Sequence, residues 1–265
     1  MRSIGIFVSI VISSAFLSVR SIAQTSERVK EYDIYLLIGQ SNMAGRGTMQ
    51  ASDTTEAIEG VFLLSDKGEV VEARNPLNRY SSIRKDIKMQ QIGPGSEFSA
   101  QIHKHTGRKV LLVVNARGGS RIEEWLPGSL YFNEAVRRCR QAMEHGELKG
   151  ILWHQGCSNA KTDRGEYMAM LSSIAEELRK ELCPQKEVPF IAGELAYWVE
   201  GSDSFNKMIH GIAERIPNSS FISVRGCSPL KPQTLKTDRP DPHFNREAQL
   251  KIGKRYARKM IRMSR

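Results

Sequence analysis

Short apolar runs rich in β-branched residues alternate with helical patterns along this chain, and that alternation restricts the fold more than any other feature. The runs predict strands at Ile34–Gly39, Val110–Asn115, Gly150–Trp153, Val188–Ala192 and Phe221–Val224. Helical spacing of apolar positions predicts helices at Glu97–Thr106, Tyr131–His145, Gly165–Lys180, Ser204–Arg215 and Arg246–Arg262. Strands that take turns with helices form parallel βαβ units, because a parallel neighbour is reached only by a crossover. The pattern therefore predicts an α/β protein, a three-layer α/β/α sandwich on a five-stranded parallel sheet, and not an antiparallel sandwich. With 40% hydrophobic and 26% charged residues in a chain of 265, disorder, collagen and a polytopic membrane protein are excluded.

One connection is too long for this scheme. Residues Ala44 to Gly95 separate the first strand from the first helix, against about 2–6 residues for an ordinary βα loop. Within it Val61–Leu64 and Glu69–Glu72 flank Ser65-Asp66-Lys67-Gly68, a hairpin pattern with glycine in the turn. An excursion on the side where strands end is expected to shape a site.

Ahead of the first strand, Arg2 precedes an apolar run from Ile4 to Leu17, and Ser21-Ile22-Ala23 supplies small residues for cleavage. This predicts a secretory signal peptide over 1–23, a single domain over 24–265, and export to the periplasm or beyond the cell. The run is shorter than the ~20 apolar residues of a spanning helix and Arg20 interrupts it, so no stable membrane insertion is expected after cleavage. The formal charge of +10 falls to +8 for Gln24–Arg265, since the first 23 residues hold Arg2 and Arg20 and no acid. Nucleic acid is not an expected partner, because the basic residues are spread rather than clustered with aromatics. Lys251, Lys254, Arg255, Arg258, Lys259, Arg262 and Arg265 read as the wet face of the last helix. Cys139, Cys157, Cys183 and Cys227 show no CxxC spacing, and their pairing is left open.

In parallel sheets ligands bind beyond the carboxyl ends of the strands, so the residues that follow each strand carry the functional signal. They are Gly39-Gln40-Ser41-Asn42-Met43, Ala116-Arg117-Gly118-Gly119-Ser120, His154-Gln155-Gly156, Gly193-Glu194 and, after the fifth strand, Asp241-Pro242-His243. Serine, glycine amides, a side-chain amide and an Asp/His pair at one edge are the parts of a serine esterase. Ser41 would be the nucleophile, His243 its base, and Asp241 the group that fixes the imidazole tautomer. Donors to the oxyanion would be the N–H groups of Ser41 and Gly119 and the side-chain amide of Gln155. Gln40, Asn42, Gly118 and His154 are expected to line the substrate. GQSNM lacks the second glycine of a G-x-S-x-G elbow, and GxxxxGK[ST] and GxGxxG are absent. His103 and His105 fall on different faces of a helix, so no metal and no cofactor is expected.

Tyr35 to Gly45 (YLLIGQSNMAG), Asn115 to Ser120 with Glu124-Trp125, Trp153-His154-Gln155-Gly156, and Asp241-Pro242-His243-Phe244-Asn245 through Gly253 to Ala257 resemble the blocks of the SGNH/GDSL hydrolases. The branch is that of carbohydrate esterase family 6 and the sialate O-acetylesterase-like proteins. The resemblance implies a flavodoxin-like SGNH fold and metal-independent deacetylation of sugars by Ser41 and His243, with Gln155 in the oxyanion place. It also implies the substrate class, an acetylated oligosaccharide or polysaccharide such as xylan or a sialylated glycan. The chain departs from the family where Gln155-Gly156 is followed by Cys157-Ser158-Asn159 in place of an acidic residue and Ser/Thr-Asp. The last block is more often Asp-x-x-His, whereas here position 240 is Pro; Asp241 is the expected orienter, Asp238 its reserve, and Glu194 a site-lining acid. Two other outcomes stay open: a glycan-binding pseudoenzyme of the same fold, and a lipase or thioesterase. The sequence leaves the oligomeric state undetermined.

Overall fold

The structure, a computed structural model, describes residues 30–231 and 241–264. The predicted signal peptide lies outside the described residues, as does Asp238. Seven strands form one mixed sheet: β1 (Tyr32–Gly39), β2 (Val61–Leu64), β3 (Val70–Glu72), β4 (Lys109–Ala116), β5 (Gly146–His154), β6 (Phe190–Gly193) and β7 (Ser219–Ile222), in the order β3-β2-β4-β1-β5-β6-β7. The helices are α1 (Ser41–Ala44), α2 (Ala51–Thr55), α3 (Gly95–Thr106), α4 (Leu130–Met143), α5 (Arg164–Leu182), α6 (Ser202–His210) and α7 (Arg246–Met263).

The predicted five-stranded parallel sheet is corrected to seven strands, of which β3 runs antiparallel to β2. The predicted hairpin supplies the two extra strands. Val61, Leu63 and Leu64 are buried at its first strand, and β2 hides them by pairing in parallel with β4, Val61 opposite Val110. Ser65 Oγ closes the turn by accepting from Lys67 N and Glu69 N at 3.2 and 3.0 Å, and the buried Arg138 of α4 donates to Leu64 O at 2.8 Å. Taken in chain order, the five remaining strands run 2-1-3-4-5, the flavodoxin-like order, with a switch point where β1 meets β4 and β5.

β1 is buried on both faces, which is why its sequence is a continuous apolar run rather than an alternating one. Ile34, Leu36 and Ile38 meet α4, α5 and α6 through Phe132, Leu171 and Phe205, whereas Tyr35 and Leu37 meet α3 and α7 through Phe98 and Ile252. Helices thus cover both faces of the sheet. The side chain of Asn245 caps α7 by accepting from Ala248 N at 2.9 Å, and Lys251, Lys254, Arg258 and Arg262 are exposed along that helix, as its spacing predicts. Several ends shift. The last strand is Ser219–Ile222 rather than Phe221–Val224, because Val224 N leaves the ladder to donate to Glu194 Oε2 at 2.8 Å. The sixth helix stops at His210, and a separate turn, Ile212–Glu214, follows Gly211.

Candidate active site

The end of β1 is held from both sides: Arg117 N donates to Gly39 O and Gln40 N donates to His154 O, each at 2.9 Å. Ser41 therefore starts α1 at the centre of the sheet edge. His243 arrives from the far end of the chain on a segment fixed by four bonds. Leu230 N donates to His243 O at 2.8 Å and Asn245 N to Ser228 O at 3.1 Å, Asn42 Nδ2 to Pro242 O at 3.0 Å, and Trp198 Nε1 to Asp241 O at 2.8 Å.

These supports bring the three predicted residues into one relay. His243 Nε2 lies 2.9 Å from Ser41 Oγ, and His243 Nδ1 lies 2.5 Å from Asp241 Oδ1, which also accepts from His243 N at 3.0 Å. The carboxylate places the ring proton on Nδ1 and leaves Nε2 as the acceptor that a serine proton needs. Burial pushes the His243 pKa below its ordinary value; Asp241 pulls it back up, and the positive charges of Arg46 and Lys231 add to the lowering. The ring is thus a neutral base at pH 7.

Ser41, His243, Gln40, Gly118 and Gly119 line a cleft of about 750 Å³. The backbone N–H groups of Ser41 and Gly119 have no acceptor among the described residues. Gln40 turns its Oε1 inward to accept from Gly156 N at 3.0 Å.

Four of the predicted oxyanion and substrate-lining residues do not face the cleft. Asn42 is buried and holds the His243 segment. His154 is buried between Phe244 and Tyr256, and burial lowers its pKa to about 4, so it is a neutral packing residue. Glu194 is buried at the end of β6, where it accepts from His210, Tyr197, Ser223 and Val224 N and ties β6 to β7. Gln155 is the fourth, its amide turned away from the cleft toward buried partners. Its Nε2 donates to Ser120 O at 3.0 Å and to Asn159 Oδ1 at 2.8 Å, which uses both hydrogens, while its Oε1 accepts from Tyr167 OH at 2.8 Å. Conversely, Arg46, Lys85, Arg121 and Lys161 line the cleft without having been singled out from the sequence. Of these, Arg46 alone carried a signal, following directly on GQSNMAG.

The family model described as carbohydrate esterase, sialic acid-specific acetylesterase matches residues 31–262. The chain belongs to this family. It is 28% identical over 242 residues to a probable carbohydrate esterase of Arabidopsis thaliana, covering 83% of this chain and 86% of that one. The solved structure from the same plant superposes with a TM-score of 0.74 at 25% identity, covering 88% of this chain and 98% of that one. NanS superposes with a TM-score of 0.68 at 15% identity, over 88% of this chain and 97% of its own, and so shares the fold. A carbohydrate acetylesterase from Xanthomonas citri does likewise, with a TM-score of 0.62 at 16% identity over 88% of this chain and 56% of that one.

In this sialic acid-specific acetylesterase family member, the altered third block has a structural account. Asn159 is buried; its Oδ1 accepts from Gln155 Nε2 and from Ile122 N at 2.9 Å, and its Nδ2 donates to Glu123 Oε2 at 3.0 Å. The carboxylate expected at 159 is thus met by an amide, which can face Glu123 without repulsion. Trp125 Nε1 adds a bond to Ser120 Oγ at 3.0 Å, so the strand end that carries Gly119 is held from two directions. Cys157 borders the cleft, and burial pushes its thiol up to about 12, which keeps it protonated.

Proposed function

We propose that the protein is an exported carbohydrate O-acetylesterase that removes acetyl groups from glycans through an acetyl-Ser41 intermediate. The observation that carries this reading is the relay of Ser41, His243 and Asp241 at 2.9 and 2.5 Å on the floor of an open cleft. His243 Nε2 takes the Ser41 proton as Oγ forms its bond to the acetyl carbon, and the carbonyl electron pair moves onto oxygen beside the N–H groups of Ser41 and Gly119. Collapse expels the sugar oxygen, which leaves with the proton from Nε2. Water then repeats the sequence on acetyl-Ser41 and releases acetate. Asp241 stabilises the imidazolium formed in each half.

The family membership and the cleft's polar rim support a glycan as substrate; the carbohydrate esterase family 6 branch, with acetylated xylan, and acetylated sialosides are the two forms of it. The N-terminal pattern of Arg2, apolar run and small residues supports export. The test is acetate release by Gln24–Arg265 from p-nitrophenyl acetate, acetylated xylan and O-acetylated sialosides, beside Ser41→Ala. Ser41-dependent release is expected. Equal rates for the two folded proteins on all three substrates would refute the reading.

A further inference from the structure

The oxyanion side of this cleft is one donor short. With the Gln155 amide committed to Ser120 O and Asn159 Oδ1, two neutral backbone N–H groups face a full developing charge. A guanidinium enters the same cleft. Arg46 is delivered into the cleft by a loop clamped on both flanks. Gly45 has φ 97° and presses so closely on the next segment that a Cβ there would lie 2.3 Å from Gln91 O. Gly47 exchanges two backbone bonds with Ile92, at 3.0 and 2.9 Å. The side chain ends against Gly118, where a Cβ would lie 2.6 Å from Arg46 Nη2 and 3.8 Å from Ser41 Cβ. Nη2 thus occupies the space that a side chain at 118 would need, and Ser41 Cβ borders the same space. Nη1 donates to Gly45 O at 2.6 Å, and among the described residues no carboxylate forms an ion pair with Arg46. Most of its donors are left for whatever enters the cleft.

Resting on the serine-esterase reading above, we propose that Arg46 is a third, charged donor to the oxyanion formed when Ser41 Oγ attacks the acetyl carbonyl. The carbonyl's electron pair arrives on oxygen as the Oγ–C bond forms and the serine proton moves to His243, so the guanidinium gains its strongest contact in that state and not before. The same cation faces His243, together with Asp241 at Nδ1, Ser41 at Nε2 and Lys231. Lys85 Nζ also reaches this end, 3.4 Å from where a Cβ on Gly119 would lie, and Arg121 and the Lys161–Glu200 ion pair complete the cleft's charged lining. Arg46 disfavours the imidazolium, so its loss should let His243 hold a proton to higher pH.

The experiment compares wild type, Arg46→Gln, Arg46→Lys and Ser41→Ala on p-nitrophenyl acetate, a neutral substrate with no sugar carboxylate, after unfolding curves confirm that each is folded. Arg46→Gln should lower kcat about 10²-fold and leave KM within about threefold, the pattern of a group that acts on the transition state. Its kcat/KM profile should lose activity at a higher pH on the acid side, and Arg46→Lys should restore that limb and part of kcat. Phosphonylation of Ser41 by a fluorophosphonate, followed by mass spectrometry, should slow in parallel. An unchanged kcat in folded Arg46→Gln, or a loss confined to KM, overturns the role of Arg46 and leaves the esterase standing. Absence of both Ser41-dependent hydrolysis and Ser41 phosphonylation in the wild type overturns the esterase reading and this inference with it.

Discussion

Asn159→Asp changes one atom type and little else, yet it should destabilise the protein strongly at neutral pH. The side chain is buried, and its Nδ2 donates to Glu123 Oε2 at 3.0 Å. Aspartate would keep the acceptor used by Gln155 Nε2 and Ile122 N but set a second carboxylate against the first. Two unit charges about 4 Å apart repel by about 4 kcal/mol at an effective dielectric of about 20. Arg121 Nη2, 2.9 Å from Glu123 Oε1, and the 41% exposure of the Glu123 side chain reduce this, so a net cost of about 2–3 kcal/mol remains. In the wild type, burial raises the Glu123 pKa, but the Asn159 amide and the Arg121 guanidinium outweigh it and hold the carboxyl below its ordinary value. In the variant the second proton of the coupled pair leaves above the ordinary carboxylate pKa of about 4.3. The penalty is then fully present above that raised pKa and fades as pH falls through it. Urea unfolding should show a gap of about 2–3 kcal/mol at pH 7.5 and under about 1 kcal/mol at pH 4.5. Adding Glu123→Gln should recover most of the loss at pH 7.5. A variant as stable as wild type at pH 7.5, or a penalty indifferent to both pH and Glu123→Gln, would refute the reasoning.

Because burial depresses the His243 pKa, kcat/KM on p-nitrophenyl acetate should fall only below pH 6.5, the ordinary histidine value of about 6.5 being the reference; loss of activity already above pH 7 would contradict it. Asp241→Asn removes the charge that raises that pKa and fixes the tautomer, so kcat should drop about 10²–10⁴-fold, with the remaining acid limb shifted to still lower pH. Gln155→Ala strips partners from Tyr167 OH, Ser120 O and Asn159 Oδ1, for a cost of about 2–4 kcal/mol. A chemical-denaturation midpoint equal to wild type, paired with a large loss of turnover, would instead return Gln155 to the oxyanion.

The main strands and helices were legible because their periodicity is local: each run of four or more apolar residues announces a strand wherever it later pairs. The hairpin Val61–Glu72 was legible as a hairpin but not as part of the sheet, since no local feature says that β2 docks beside Val110 of β4. Proximity in the site was legible in the same way and for the same reason: strand ends converge, and Ser41, Gly119, Asp241 and His243 sit there. Side-chain direction was not. Trp153 and His154 are neighbours on β5, yet they join opposite cores of the sheet, Trp153 with Trp125 and His154 with Tyr256. The fate of the Gln155 amide depended on Asn159 and Glu123, partners set by tertiary packing. Arg46 lies in the long excursion, where no periodicity identifies which side chain turns inward.

The two halves of the Ser41–His243 pair are anchored in regions of unequal strength. β1, which ends at the serine, is laddered on both flanks from Tyr32 to Gly39. The histidine hangs on a single bridge, Pro229 to Phe244, and a few side-chain bonds. Amide exchange is governed by the least costly opening that frees a group, so the amides of β1 should exchange with global unfolding and those around His243 well before it. Heat would then part the pair from the histidine side first, and activity should disappear on warming while the sheet, and Ser41 with it, is still intact.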